Sequence, residues 1–329
     1  MNKVKIKNHN LVTVFVLFLI VIFMSLFAHN FLSPANFTNI LRQVSLTVIV
    51  ACGTTFIMIA GGLDISVGGV LAVTGVVAAK SASMGFSVPI SFAFGILFGL
   101  IVGLVNAFLI EGTKIPTVIA TLGTMYICRG LAYVISGGNP IIDVPDNYSF
   151  ISATHFGPIP LLIIIMLVVF IICHIIFKYT LLGKYTLAIG GNTETSKLSG
   201  IKTVKIKTIL YAMGGTLAGI GGVLMSSRLK SGDPNVGMGF EFDCIVAVVI
   251  GGTSLIGGEG SLSGTFIGAL IVAVIANGMN LMGIGTFYQY IIQGGVLVLA
   301  VIFDQTLKGE GLKFNFITRL FSYDKRTSC

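Results

Sequence analysis

Six stretches of this chain run for 20 residues or more without a charged side chain. Between Lys7 and Arg42 there are 34 uncharged residues, between Arg42 and Asp64 21, and between Lys80 and Glu111 30. Asp146 to Lys178 leaves 31, Lys207 to Arg228 leaves 20, and Glu259 to Asp304 leaves 44. A helix crosses bilayer hydrocarbon with about 20 residues, so these gaps are membrane spans. Composition agrees. Of 329 residues 55% are hydrophobic and only 10% charged, with a mean hydropathy of +0.99. So few charges cannot clothe a soluble domain. The expected class is an all-α polytopic membrane protein within the lipid bilayer, one transmembrane domain over 1–329 with its core at 31–304.

The gaps, divided at Gly and charge, give about ten spans: 11–28, 42–61, 65–84, 89–110, 115–136, 159–177, 207–227, 242–258, 261–281 and 287–304. Lys3, Lys5 and Lys7 precede the first, as in a signal peptide. The apolar run is long for one and lacks a clear cleavage site, so an uncleaved first helix is expected.

Lysine sets the orientation. The 178–207 segment carries Lys178, Lys184, Lys197, Lys202, Lys205 and Lys207 against Glu194 alone. This loop, the N-terminus and the 305–329 tail are expected on the cytoplasmic side, which an even number of spans permits. Lys80, Arg228 and Lys230 then fall outside, the last two partly offset by Asp233. The net charge of +8 fits loops facing anionic lipid rather than nucleic acid. The largest outer loop, 137–160, is expected to be ordered by its turns.

Four motifs interrupt the apolar pattern. IAGGLDISVGGV (59–70) sets Asp64 between the pairs Gly61–Gly62 and Gly68–Gly69. A carboxylate at such depth needs protein, water or free N–H groups. Asp64 is expected to cap a restarting helix, and Gly61, Gly62, Asp64 and Ser66 are candidates for a gate or path. IGGTSLIGGEGSLSG (250–264) repeats the form coarsely, which suggests two halves related as a repeat; Glu259 reads as a solvated loop charge. In IPTVIATLGTMYICRG (115–130), Thr117, Thr121 and Thr124 share a face that Ala120 and Gly123 keep thin. Arg129 lies deep enough to need a partner, for which Asp143 is one choice.

LGKYTLAIGGNTETSKLSGI (182–201) is the fourth. Gly190–Gly191 breaks the chain, Asn192 or Thr193 can cap, Glu194 suits a first turn and Gly200 a helix stop. A helix of about two turns results, covering Asn192, Thr193, Glu194, Thr195, Ser196, Lys197, Leu198, Ser199 and Gly200. So short a helix is marginal alone and is expected either to dock on a partner or to lie on the lipid surface.

Asn106, Asn277, Asn280, Gln289 and Gln293 lie within spans. They either bond between helices or line a polar path, for which Asn277 and Asn280 are candidates. Cys52, Cys128, Cys173, Cys244 and Cys329 show no CxxC spacing and read as small buried hydrophobes. The sequence contains no Walker-type GxxxxGK motif, no HExxH, no GxSxG and no metal-type cluster. Neither a catalytic residue, a metal site nor a cofactor is expected in this chain.

IAGGLDISVGGVLAVTG, KIPTVIATLGTMYICRGLAYVISGGNPI, GNTETSKLSGIKT and AVVIGGTSLIGGEGSLSGTFIGALI, in that order, resemble the membrane permease of ribose-type ABC sugar importers. Gly69 stands where relatives often carry Ser. The resemblance implies alternating access by two permease copies. It also implies an ABC ATP-binding subunit holding ATP and Mg on the cytoplasmic face, and an extracytoplasmic sugar-binding protein. The 192–200 helix is then similar to the coupling helix that enters a groove of the ATPase. A stand-alone secondary transporter or channel is the alternative reading.

Overall fold

A computed structural model describes residues 2–307. The chain is built almost wholly of helices: α1 Asn2–Phe27, α2 Pro34–Ile59, α3 Val67–Ser83, α4 Val88–Ala107, α5 Thr117–Ser136, α6 Phe150–Ala153, α7 Leu161–Tyr179, α8 Leu181–Gly191, α9 Thr193–Leu198, α10 Thr203–Leu229, α11 Phe240–Ile250, α12 Leu262–Leu281 and α13 Thr286–Leu307. Six of these regions are long and apolar enough to cross a membrane: α2, α4 with its extension to Gly112, α5, α7, α10 and α12. Two shorter apolar helical stretches are Leu11–Phe27 and Val67–Ser83. Among the described residues, the predicted spans at 242–258 and 287–304 are outside that set.

The expectation that helix fills 242–258 is corrected. Its helix ends at Ile250 and gives way to turn and coil through Gly260. At about 1.5 Å per residue, 11 residues reach only about half of a bilayer. Gly251 and Gly252 end it; Gly252 lies at φ +83°, where a side chain is disfavoured. Residues 308–329 of the expected tail lie outside the described residues.

Local chemistry explains the helix ends. Pro34 opens α2, and the Ser33 hydroxyl accepts from the Asn36 N–H at 3.2 Å, an arrangement that satisfies one free donor. Ser261 does the same for α12 through Gly264 N–H at 3.0 Å. At the far end of α4, Phe108–Gly112 winds as a π-helix.

Helices α2 and α10 form the centre; 83% of the α2 span is buried. Helix α10 packs on α2, α3 and α4. Its contact with α4 is a meeting of backbones. A Cβ on Gly99 would strike the Gly215 carbonyl oxygen, and one on Gly103 would sit 3.0 Å from Ala212 Cα. Apolar side chains gain nothing by leaving lipid for each other, so close backbone packing supplies the attraction. Exposed apolar residues such as Phe108, Ile127 and Ile171 cover the outside, as lipid requires.

The 137–160 loop is ordered as expected. It holds a 3₁₀ turn at Asp146–Ser149, helix α6, and a two-stranded ribbon pairing His155–Phe156 with Ile159–Pro160. Tyr148 pins it down: fully buried, it stacks edge-on against Phe92 and its hydroxyl lies 2.9 Å from Ser226 Oγ.

Candidate functional site

The lysine-rich segment folds as two linked helices, α8 and α9. Asn192 lies between them, extended, with its Oδ1 accepting from Thr195 N–H at 2.8 Å. At the other end, Gly200 sits at φ +83°. Gly200 N–H donates to Lys197 O at 2.9 Å, and Ile201 N–H to Ser196 O at 3.1 Å. These two bonds make a Schellman stop. Lys197 and Glu194 pair at 2.7 Å on the exposed side, and this partner holds the Glu194 carboxyl below its ordinary value. Ser196 is turned inward, whereas Leu198 is 90% exposed. A leucine presented so fully at the end of a doubly capped helix is an unfilled apolar contact.

What the sequence read as a chain break at Gly190–Gly191 is the last turn of α8, and its glycines serve close approach. A Cβ on Gly190 would collide with the Ile59 carbonyl oxygen and the Gly258 amide nitrogen. Gly258 N–H donates to Ile59 O at 2.8 Å. A Cβ on Gly257 would lie 2.8 Å from Gly61 N, and one on Gly258 3.0 Å from Gly191 Cα. Three glycine pairs thus meet: Gly61–Gly62 after α2, Gly190–Gly191 at the end of α8, and Gly257–Gly258 after α11. No side chain separates these backbones at their closest approach. Glu259, beside this junction, is exposed.

Beyond the junction the chain unwinds and restarts at Val67. The expected cap at Asp64 is corrected: Ser66 is the capping position and its side chain does not cap. Asp64 is 2% exposed. Its Oδ1 accepts from the Ser66 N–H at 2.9 Å and from the Ser66 hydroxyl at 2.6 Å. Asn106 Nδ2 donates to Ser66 Oγ at 2.9 Å, and Thr124 Oγ1 donates to Asn106 Oδ1 at 2.7 Å. A buried polar chain therefore ties the α2–α3 break to α4 and α5. Asn106 is its middle link and bonds between helices, one of the two roles expected for the amides within spans. Of that stripe, Thr121 and Thr124 are buried as expected. Gly123 differs, because its Cβ position meets open space. Gly69 packs on α5, where a Cβ would sit 2.6 Å from the Met125 carbonyl oxygen.

Arg129 has a partner other than Asp143. It donates through one guanidinium nitrogen to Pro234 O at 2.9 Å and Val236 O at 2.6 Å. These carbonyls belong to the irregular segment before α11, which packs along α3: a Cβ on Gly237 would lie 2.8 Å from Gly68 O. Non-helical backbone inside a membrane protein must be satisfied by protein, and Arg129 does so here. Lys230 pairs with Asp146 at 3.0 Å rather than with Asp233, whose Oδ1 accepts from Asn235 N–H at 2.8 Å.

Asn277 and Asn280 part company. Asn277 and Asn36 exchange reciprocal amide bonds at 2.8 and 2.9 Å, which clamps α12 to α2. Asn280 accepts from Gln289 at 2.8 Å at the exposed α12–α13 turn. The Gln293 side chain lies outside the described residues. Cys52, Cys128, Cys173 and Cys244 are free and buried, in line with their apolar settings. Among the described residues no group of three or more His, Cys, Asp or Glu could hold a metal.

A helical bundle with several apolar spans and glycine-built breaks within its interior is a multi-pass membrane protein. The chain belongs to the family described as branched-chain amino acid transport system / permease component, which matches residues 36–301. Similar proteins include the ribose import permease protein RbsC of Bacillus subtilis (strain 168). It is 40% identical over 291 residues, covering 88% of this chain and 90% of that one. The Escherichia coli (strain K12) protein of the same name is 36% identical, covering 88% and 91%. The L-arabinose ABC transporter permease protein AraH of Azospirillum brasilense is also 36% identical, covering 87% and 85%. No solved structure matches the chain.

Proposed function

We propose that this chain is the transmembrane subunit of an ATP-binding-cassette importer that carries a ribose-like monosaccharide across the cytoplasmic membrane. The relatives named for ribose and arabinose import support the substrate class. The observation that carries the mechanism is the α8–α9 unit. Its small helix is capped at both ends, shows Leu198 to solvent, and is joined through glycines to the two breaks at 60–66 and 251–261.

In this reading α9 seats in a groove of the ATP-binding subunit. ATP and Mg bind there, and hydrolysis occurs there, not in this chain. Closure of the paired ATPases moves α9. The glycine junction passes that displacement to the Asp64–Ser66 break and to the segment ahead of α12, and the bundle changes which side it opens. Asp64, Ser66, Gly61 and Gly62 act at the gate, with Arg129 holding the irregular backbone behind it. A second permease copy completes the path, and an extracytoplasmic sugar-binding protein delivers the sugar. The differential free energy resides in the nucleotide-driven closure and the docked binding protein.

Ten crossings with both termini, the 178–207 loop and the 305–329 tail in the cytoplasm complete the proposal. The ten comprise the six long spans together with α1, α3, α13 and the 240–261 segment, in which the half-length helix α11 and the irregular chain after it together make one crossing. The similarity of the two glycine-flanked breaks fits halves related as a repeat.

The test is reconstitution with the ATP-binding and sugar-binding subunits in vesicles. Uptake of labelled ribose or arabinose should require ATP and both partners. Uptake that persists without ATP and without the ATPase would overturn the proposal.

A further inference from the structure

Helix α10 carries Lys207 and Tyr211 one turn apart on one face. Tyr211 is 2% exposed, and its hydroxyl is buried with no hydrogen-bond partner among the described residues. A buried hydroxyl left unpaired is costly. Tyr148, also deeply buried, escapes that cost because Ser226 meets its hydroxyl. Nothing in this chain does the same for Tyr211 among the described residues.

Tyr211 borders a cavity between the end of α2, the π-helical turn after α4, the start of α5 and α10. Its walls include Ile57, Gly62, Ile110, Thr117, Lys207 and Tyr211, and its empty space is about 230 Å³. A Cβ on Gly62 would lie 2.7 Å from the Tyr211 hydroxyl. The segment after α2 therefore closes directly onto this group. The π-turn that supplies Ile110 is a form found often at functional sites.

Charge decides what class of ligand suits the cavity. Lys207 Nζ lies 3.2 Å from Glu111 Oε1, with the two side chains 21% and 11% exposed. The cation is answered from within the wall, so an anion gains little there. What the walls offer is hydrogen bonding: the Tyr211 and Thr117 hydroxyls, and the first-turn N–H groups of α5, whose capping residue Pro116 supplies no side-chain acceptor. Ile57 and Ile110 add apolar faces. Neutral polar groups set among apolar walls suit a molecule that bears both hydroxyl groups and C–H faces.

We propose that Tyr211 is a sugar contact in the translocation path, its hydroxyl bonding one hydroxyl of the monosaccharide once the Gly61–Gly62 segment withdraws. This rests on the importer reading above. In the present state the cavity has room for about one water molecule, so the contact is made in transit.

Two assays test it. Full-length permease alone in neutral detergent is titrated with ribose and with its monodeoxy analogues, and binding is read by saturation-transfer NMR. Wild type should prefer ribose to at least one analogue by about fivefold, the worth of one neutral hydrogen bond. Tyr211→Phe should erase that preference, and inorganic sulfate should not displace the sugar. In vesicles with the ATPase and the binding protein, Tyr211→Phe should lower maximal ribose uptake about fivefold. Its melting temperature should not fall, because no bond within the protein is lost. An unchanged preference in Tyr211→Phe, no preference in wild type, or displacement of ribose by sulfate would overturn the contact and leave the importer reading standing. Uptake without ATP or ATPase would overturn the importer reading alone, since the binding assay contains neither.

Discussion

Replacing Gly200 by valine tests the mechanical role of α9 directly. Gly200 lies at φ +83° and a Cβ there would meet nothing within 4 Å. The penalty is therefore wholly one of backbone conformation. A non-glycine residue in the left-handed region loses about 1–2 kcal/mol, and a β-branched one sits at the upper end. About 2 kcal/mol is roughly a thirtyfold change in population. The cost falls on a helix of six residues whose stop depends on the Gly200 and Ile201 amides. A helix that short has little stability of its own, so the stop opens locally and the bundle does not. In vesicles with the ATPase and binding protein, Gly200→Val should reduce ATP-driven sugar uptake at least about tenfold. Basal ATP hydrolysis and the melting temperature of the permease should stay close to wild type. Gly200→Asn should recover much of the uptake, because asparagine tolerates this conformation. Full coupled uptake by Gly200→Val, or equal loss in the asparagine variant, would refute the reasoning.

Leu198 is 90% exposed, and burying a leucine contributes about 2 kcal/mol; Leu198→Ala should weaken ATPase binding about thirtyfold in a titration, with an unchanged melting temperature. Asp64→Ala should destabilise the protein by about 1–3 kcal/mol by stranding the buried Ser66 N–H. Asp64→Asn retains the acceptor and should melt near wild type, and lost uptake in that folded variant assigns the role to charge. Gly190→Ala drives a methyl into the Ile59 carbonyl; it should lower the melting temperature or the yield of folded protein, and wild-type stability would count against the junction. Lys197 lowers the Glu194 pKa, so the pair's contribution is complete above the ordinary carboxylate value of about 4.3 and is lost as pH falls through the lower folded value. Hydrogen exchange of α9 amides should therefore be insensitive to this pair between about pH 6 and 8, and Glu194→Gln at pH 7 should mimic acid.

The sequence alone determined the class of molecule and the places where helices run, because uncharged gaps of bilayer length admit few other structures. It also placed α9 closely, leaving the cap between Asn192 and Thr193 and giving Gly200 as the stop: Asn192 and Gly200 act through bonds to their own neighbours, and such local chemistry is written in order along the chain. The tertiary structure decided everything that depends on what lies opposite. Gly190–Gly191 reads as a break in one dimension and proves to be a seat for Ile59 and Gly258. Arg129 finds carbonyls more than a hundred residues away instead of the nearer Asp143, and Asn277 finds Asn36. The helix expected over 242–258 stops at Ile250: its apolar composition continues past the point where Gly251 and Gly252 end it. In a membrane protein nearly every interior residue is apolar or small, so hydropathy reports depth but not neighbours. Those are chosen by which glycines let two backbones touch and which few polar groups must find one another.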